Sequence, residues 1–269
     1  MYIRWMQLIK RTICYLGLGI CLLTWACSEE SAADSSNQHG NTDQTEGLPI
    51  DSSSRLLSHP EPDKGRDTSA LEKTLIKQGL VNVADLSDQF VVQMMYSTDD
   101  NFLNEDVYGD YDLCYLQPEI ADKLVIADSL LQSKHPDLRL VLFDCVRPRS
   151  VQYQMWEIVK GTDQQNYVAP PGGSGSMHNY GAAVDLGLYH VDTGIVDMGT
   201  PFDFFGPLAQ PRFETKFLRS GALSQAQINH RAMLRIAMKG AGFQGILSEW
   251  WHFIGFDRPV VRQKYQVVE

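Results

Sequence analysis

No CxxC pair, no Lys/Arg-rich block and no internal repeat occurs in this 269-residue sequence, and no apolar run reaches the roughly 20 residues of a settled membrane-spanning helix. Each absence narrows the field. Without CxxC pairs a zinc site built on thiolates is disfavoured. Without a basic block no nucleic-acid partner is expected, the more so at a formal net charge of −10 from 23 Lys plus Arg against 33 Asp plus Glu. Cysteine is scarce. Of five, Cys14 and Cys21 fall in an N-terminal apolar segment and Cys27 follows it, which leaves only Cys114 and Cys145 for the rest of the chain. An oxidising compartment would permit a disulfide between these two; two buried thiols fit the sequence equally. What is present is ordinary globular composition, 43% hydrophobic and 21% charged, which excludes collagen-like, coiled-coil and wholly disordered chains.

The chain divides into three unlike pieces. Arg4, Lys10 and Arg11 form a positive stretch without any acid, followed by a mostly apolar run of 14 residues from Thr12 to Trp25. So short a run behind basic residues reads as a signal peptide. It ends in Thr24-Trp25-Ala26-Cys27, similar to a bacterial lipoprotein processing site, although Thr24 stands where Leu is usual. The expectation is a signal peptide over residues 1–26 and lipidation at Cys27. The protein would then be exported, facing the periplasm or cell exterior, and held to a membrane through its N-terminal lipid anchor. Ser28 to Ser69 has nine acids, three bases and no aromatic residue. Such a segment cannot bury enough surface to offset the entropy of ordering, so residues 27–69 are expected to form a disordered acidic linker. Residues 70–269 remain, 200 residues and enough for one well-buried core.

Within that domain helix and strand patterns are mixed. Leu71 to Gly79, Pro118 to Ser133 and Ser150 to Lys160 read as helices, as does a segment opening at Ser224 and stopping near Gly240. In the second of these, Ile120, Leu124, Ile126, Ala127, Leu130 and Leu131 supply the apolar positions. Phe90 to Tyr96, Leu138 to Val146 and Ala182 to Tyr189 read as strands, and Glu249 to Phe256 as an aromatic strand or turn. The order does not alternate strictly, so the fold class is α+β rather than a doubly wound sheet.

Two segments carry chemistry: Ser176-Met177-His178-Asn179-Tyr180-Gly181-Ala182-Ala183-Val184-Asp185, and Glu249-Trp250-Trp251-His252. Together they offer two imidazoles and two carboxylates, types that bind a borderline metal such as zinc. Asp185 shares a strand face with Ala183 and Gly187, whose small size would leave space beside it. A carboxylate in so apolar a run is costly unless paired or metal-bound; the competing role is a turn-capping Asp. Glu249 stands three residues before His252, within reach of a metal-activated water without itself being a ligand. A catalytic zinc keeps three protein ligands and one open position, and a nearby carboxylate takes the proton of the water it acidifies. Trp250, Trp251 and Phe253 read as packing. Arg147 closes the strand ending at Val146 and is followed by Pro148. It could stabilise an oxyanion or pair with an acid such as Asp144.

The pattern Ser176-x-His178-x-x-Gly181-x-Ala183-x-Asp185 with Glu249-x-Trp251-His252 resembles the zinc D-alanyl-D-alanine dipeptidase and carboxypeptidase group, and Asp144-x-x-Arg147-Pro148 resembles another of its segments. Met95-Tyr96-Ser97-Thr98, Asn101-Phe102, Tyr108 and Met198-Gly199-Thr200-Pro201-Phe202-Asp203 narrow the similarity to the vancomycin-resistance-type dipeptidases, over about Val91 to Phe256. The resemblance implies one zinc per chain held by His178, Asp185 and His252, with Glu249 as general base and acid and Arg147 stabilising the transition state. It implies Ser176 near the substrate carboxylate and Asp203 near its ammonium. It implies a small peptide substrate, D-alanyl-D-alanine; no protein partner is implied. It also implies a single domain with a central antiparallel-rich sheet flanked by helices, the fold shared with the hedgehog signalling domain. Two rivals follow from the same residues: a carboxypeptidase acting on peptidoglycan stem peptides, and a tethered, non-catalytic zinc-binding lipoprotein. The signal and linker depart from resistance-type dipeptidases, which are commonly cytoplasmic.

Overall fold

The computed structural model describes residues 69–269; the expected signal peptide, Cys27 and the linker lie outside the described residues. Ser69 opens the first helix, α1 (Ala70–Lys77), with a capping box in which its Oγ accepts from the Glu72 N–H and the Glu72 carboxylate accepts from its own N–H. Two short strands, β1 (Val81–Asn82) and β3 (Tyr115–Leu116), pair antiparallel. Between them β2 (Val91–Val92) joins the main sheet, whose backbone is β4 (Leu138–Asp144) and β5 (Ala183–His190). The sheet runs β2-β4-β5-β8-β7, with β7 (Gln244–Gly245) and β8 (His252–Ile254) on one side and β6 (Gly194–Ile195) pairing with β5. Among the described residues only β2 against β4 is parallel; every other pairing is antiparallel. The fold is α+β, a mixed but antiparallel-rich sheet flanked by helices, as expected.

Helix α2 (Pro118–Lys134) begins with Pro at its first position, where the missing N–H costs nothing. Ile120, Leu124, Ala127 and Leu131 recur at helical spacing and are fully buried. Ile126 and Leu130, grouped with them by apolarity, lie on the outer side, 51% and 40% exposed. Helix α3 (Arg149–Val159) starts beyond Pro148, and α4 (Glu214–Ser220) precedes α5 (Gln225–Gly240). Ser224 caps α5 with Gln227 as its reciprocal partner. Helices α2 and α5 pack together and against β4 and β5 respectively. The last helix, α6 (Arg258–Lys264), packs on the 3-10 turn formed by Met177–Tyr180.

Two expectations are corrected and one is narrowed. Phe90–Tyr96 is not one strand: only Val91 and Val92 pair with β4. After Gln93 donates to the Leu142 carbonyl, Met95–Ser97 coil into a 3-10 turn. The Tyr96 carbonyl there accepts from the N–H groups of Val107 and Tyr108, so the following loop, not the sheet, satisfies this backbone. Glu249–Phe256 contributes a strand only at His252–Ile254. The space beside Asp185 is not open at Gly187, where an added Cβ would lie 3.0 Å from the Phe143 ring.

Cys114 and Cys145 form a disulfide, with Cα atoms 5.2 Å apart and both residues fully buried. It ties the segment before β3 to the end of β4. Closing a loop across a separation of 31 residues removes enough unfolded-state entropy to stabilise by about 3–4 kcal/mol. Replacing both residues with Ala is therefore expected to lower Tm by about 10 °C. Thermal melts of the two proteins under oxidising conditions test this; equal Tm values would show that the bridge constrains nothing.

Candidate active site

The site is assembled at one end of the central sheet. Asp185 on β5 lies opposite Asp144 on β4 and opposite His252 on β8. The β4–β5 register shifts between Leu142 and Asp144, a bulge that re-aims the end of β4. The fourth element is the Met177–Tyr180 turn. Ser176 caps it by accepting from the His178 N–H, while Asn179 Oδ1 accepts from the Ser176 N–H at 2.8 Å. Gly181 ends the turn at φ +63°, where a side chain would meet Leu80 at 2.8 Å, so only Gly fits. Asn179 is fully buried and donates to the Arg147 carbonyl at 2.8 Å, and the Arg147 N–H bonds the His178 carbonyl. The turn carrying His178 is thereby fastened to the segment carrying Arg147.

His178, Asp185 and His252 converge, with one ligand atom from each lying within 4.8 Å of the others. His252 Nδ1 is 2.8 Å from Asp185 Oδ1 and 3.2 Å from His178 Nε2, and His178 Nε2 is 3.4 Å from Asp185 Oδ1. These spacings bracket the edge of about 3.3 Å expected of a tetrahedron with 2.0–2.1 Å metal–ligand bonds. The neighbours fit as well. His178 Nδ1 lies 2.7 Å from the Cys145 carbonyl, an acceptor that holds the proton there and leaves the Nε2 lone pair facing the other two ligands. Burial acts to lower the His178 pKa, but the Asp185 and Asp144 carboxylates outweigh it and hold it above the ordinary value. Burial would likewise raise Asp185, yet His178 and His252 hold it far below the usual carboxylate range. Three donors in mutual reach, with one coordination position to spare, suit a catalytic rather than a structural ion.

A cavity of about 160 Å³ opens onto this cluster and is lined also by Glu249, Arg147, Ser176 and Asp203. Sites for drug-sized ligands run to roughly 300 Å³ or more, so this one suits a very small molecule. Glu249 is half-buried and is not among the three donors of that cluster. Burial raises its pKa, partly offset by His252. Of the two roles open to Arg147, the pairing with Asp144 is the one present among its contacts. Its guanidinium pairs with Asp144 through Nε at 3.1 Å and through Nη2, and donates from Nη1 to Gln152 Oε1 at 3.0 Å. It also lies over the Tyr96 ring and faces the cavity. Asp203 is buried at φ +59°, and its Oδ2 has no hydrogen-bond partner. Burial and the nearby Asp185 push its pKa well up, opposed by the Tyr96 hydroxyl and Arg147. Trp250 and Trp251 are buried, as packing residues should be, although Trp251 also lines the cavity.

Asp144, read from the sequence as a partner for Arg147, serves more of the site, and Gln152 and Arg258, which sequence patterning does not single out, complete it. Asp144 receives the Tyr108 hydroxyl and Arg147, and stands 3.4 Å from His178 Nδ1. Gln152 holds Arg147 and anchors itself on the Ala169 carbonyl. The one available signal for Gln152 is a polar side chain in the first turn of the helix that begins just after Arg147-Pro148. Arg258 lines the cavity from the start of α6 and carries no sequence signal.

Comparison with known proteins agrees with this geometry. The profile of the Peptidase_M15 family, described as D-ala-D-ala dipeptidase, matches residues 76–269. A D-alanyl-D-alanine dipeptidase of Escherichia coli (strain K12) is 30% identical over 174 residues, 65% of this chain and 83% of that protein. Enzymes of the same name from Enterococcus faecalis (strain ATCC 700802 / V583) and Enterococcus faecium are 30% and 32% identical, each covering 61% of this chain and 85% of the relative. The profile spans every element that builds the site, from β1 to α6, and the chain belongs to the Peptidase_M15 family of D-ala-D-ala dipeptidases.

Proposed function

We propose that this protein is a zinc-dependent dipeptidase that hydrolyses D-alanyl-D-alanine in the turnover of peptidoglycan-derived peptides. The observation that carries this reading is the meeting of a His178–Asp185–His252 donor cluster, Glu249 and a buried Asp203 with one unsatisfied oxygen in one small cavity. A zinc ion held by His178, Asp185 and His252 would polarise the scissile carbonyl and bring a water to a pKa of about 7. Glu249 takes the proton of the attacking water and returns it to the departing amine, for which its half-buried position and raised pKa suit it. Arg147, kept in place by Asp144 and Gln152, faces the oxyanion that develops on the carbonyl oxygen. Asp203 receives the substrate ammonium, which would relieve the cost of burying its carboxylate, a cost that Arg147 and the Tyr96 hydroxyl offset only in part. Ser176, besides capping the His178 turn, lines the wall where the substrate carboxylate lies.

The acid at Asp203 favours a dipeptide over a stem peptide. A longer chain has no ammonium at that place and needs room for an acyl extension that a cavity of about 160 Å³ does not offer. Turnover of D-alanyl-D-alanine and of a stem pentapeptide, each with and without a chelator, tests the reading. Chelator-sensitive hydrolysis of the dipeptide alone is expected. Preferential trimming of the pentapeptide would make the enzyme a carboxypeptidase, and zinc without hydrolysis of any dipeptide would make it a binding protein.

We place the enzyme outside the cytoplasm, with residues 1–26 as signal peptide, Cys27 lipidated, residues 27–69 as tether and residues 70–269 as the catalytic domain. The basic and apolar pattern of the first 26 residues supports export, and the Cys114–Cys145 disulfide fits an oxidising compartment. Globomycin treatment, or a Cys27→Ser substitution, is expected to move the protein out of the membrane fraction. Unchanged fractionation would remove the anchor from this account.

A further inference from the structure

The cavity has an unequal distribution of charge. Its acids are Asp185, Asp203 and Glu249, and apart from the two histidines of the donor cluster its cations are Arg147 and Arg258. Arg147 is committed to Asp144 and Gln152. Arg258 is exposed and makes no hydrogen bond or ion pair among the described residues. It is nonetheless well placed in its backbone. It opens α6, with Pro259 directly after it and Asp257 before it tied to Gln244 at 2.8 Å. Helix α6 packs on the Met177–Tyr180 turn, and beyond it Val268 donates to the Asn179 carbonyl and accepts from the Arg149 N–H, each at 2.8 Å. Arg258 lines the same cavity as Ser176, Met177 and His178. Asp203 belongs to the wall beside Tyr96 and Arg147.

We propose that Arg258 is a specificity-determining residue that binds the free α-carboxylate of the substrate, so that the enzyme requires a peptide with an unblocked C-terminus. This rests on the dipeptidase reading above and deepens it. A dipeptide zwitterion carries one charge of each sign, and the cavity offers a carboxyl with an unsatisfied oxygen at Asp203 and an unpartnered cation at Arg258. A guanidinium presents paired N–H donors in a fork that matches a carboxylate, and it keeps its charge at every working pH. The polarity of binding follows: ammonium to Asp203, scissile carbonyl at the donor cluster, carboxylate to Arg258. Substrates with a blocked C-terminus lose the second contact.

The experiment compares D-alanyl-D-alanine with its C-terminal amide in the wild-type holoenzyme and in the Arg258→Ala and Arg258→Lys variants. Wild type is expected to favour the acid through KM. Arg258→Ala should raise KM for the acid about tenfold, with kcat within about twofold, because the lost contact is a charge-assisted hydrogen bond made equally in ground and transition states. KM for the amide should not follow, so the preference for the acid collapses. Lys should restore part of it. Added salt should raise KM for the acid in wild type more than in Arg258→Ala, since an exposed pair is screened. Arg258→Ala with an unchanged acid-over-amide preference, or with equal losses on both compounds, would overturn the assignment while the dipeptidase reading stands. Hydrolysis of neither compound by wild type would overturn that reading and this proposal together.

Discussion

Glu249→Gln is expected to lower kcat on D-alanyl-D-alanine by about 10³-fold or more while zinc stays at one per chain, because the proton the attacking water gives up no longer has a carboxylate to receive it. Gln keeps the volume and one acceptor oxygen of Glu but cannot relay a proton. The metal should remain, since Glu249 stands outside the convergence of His178, Asp185 and His252. Stability supplies an independent sign. Burial raises the pKa of Glu249, so the folded state favours the neutral acid. For an acid raised on folding, stability falls as pH rises through its unfolded value and on through its folded one. At neutral pH the anion is therefore a burden that Gln removes, and Tm should hold or rise. Metal analysis, steady-state kinetics and a melt on the same preparation test all three. Turnover within tenfold of wild type would remove Glu249 from the proton transfer, and loss of zinc would make it a ligand.

The part of the site legible in the sequence is the part fixed by local spacing. His178 and Asp185 are separated by a capped turn, a Gly at positive φ and the first residues of a strand, all visible as Ser176, Gly181 and the apolar run after it. Glu249 and His252 are separated by two buried tryptophans. What no local pattern gives is the register that brings the two segments together. Asp185 faces His252 because β5 pairs with β8 at that residue, and a shift by one residue would point the imidazole to the other face of the sheet. The resemblance supplied that juxtaposition where periodicity could not.

Alternation failed for a related reason. Ala183 to Leu188 are buried on both faces, so neither face of β5 marks itself as polar. The lone carboxylate is explained by the donors around it, not by its strand position. Phe90–Tyr96 reads as one strand because its residues are apolar at every position but Gln93, yet only Val91–Gln93 bond to β4, and the Tyr96 carbonyl turns to the N–H groups of Val107 and Tyr108. The disulfide was undecidable because its geometry depends on β3 lying beside the end of β4. The Asp144–Arg147 pair is legible because the two stand three residues apart, whereas nothing local marks Gln152 or Arg258.

Arg147 is where structural and catalytic roles overlap, and the second large effect separates them. Arg147→Ala is expected to reduce kcat/KM by about 10²–10³-fold, the usual loss for one oxyanion-stabilising donor. It should also destabilise the fold by about 3–5 kcal/mol, because it strands a fully buried carboxylate. That carboxylate is Asp144, which is 0% exposed and would keep only Tyr108 and the distant His178 Nδ1 as partners. Activity alone could therefore fall because the site loosens. The pair Arg147→Met with Asp144→Asn removes both charges and leaves no buried ion, so most of the stability should return. The two accounts then diverge. If Arg147 faces the reacting oxygen, the double variant is stable, retains zinc and remains slow. If Arg147 serves only to neutralise Asp144, activity recovers with stability, and a double variant with wild-type kcat/KM would strip Arg147 of its catalytic role. Gln152→Ala provides the graded case: Arg147 keeps its Asp144 pair but loses the Nη1 contact at 3.0 Å. A guanidinium freed on one side should weaken kcat more than KM, since the contact it aims is made to a charge absent from the ground state.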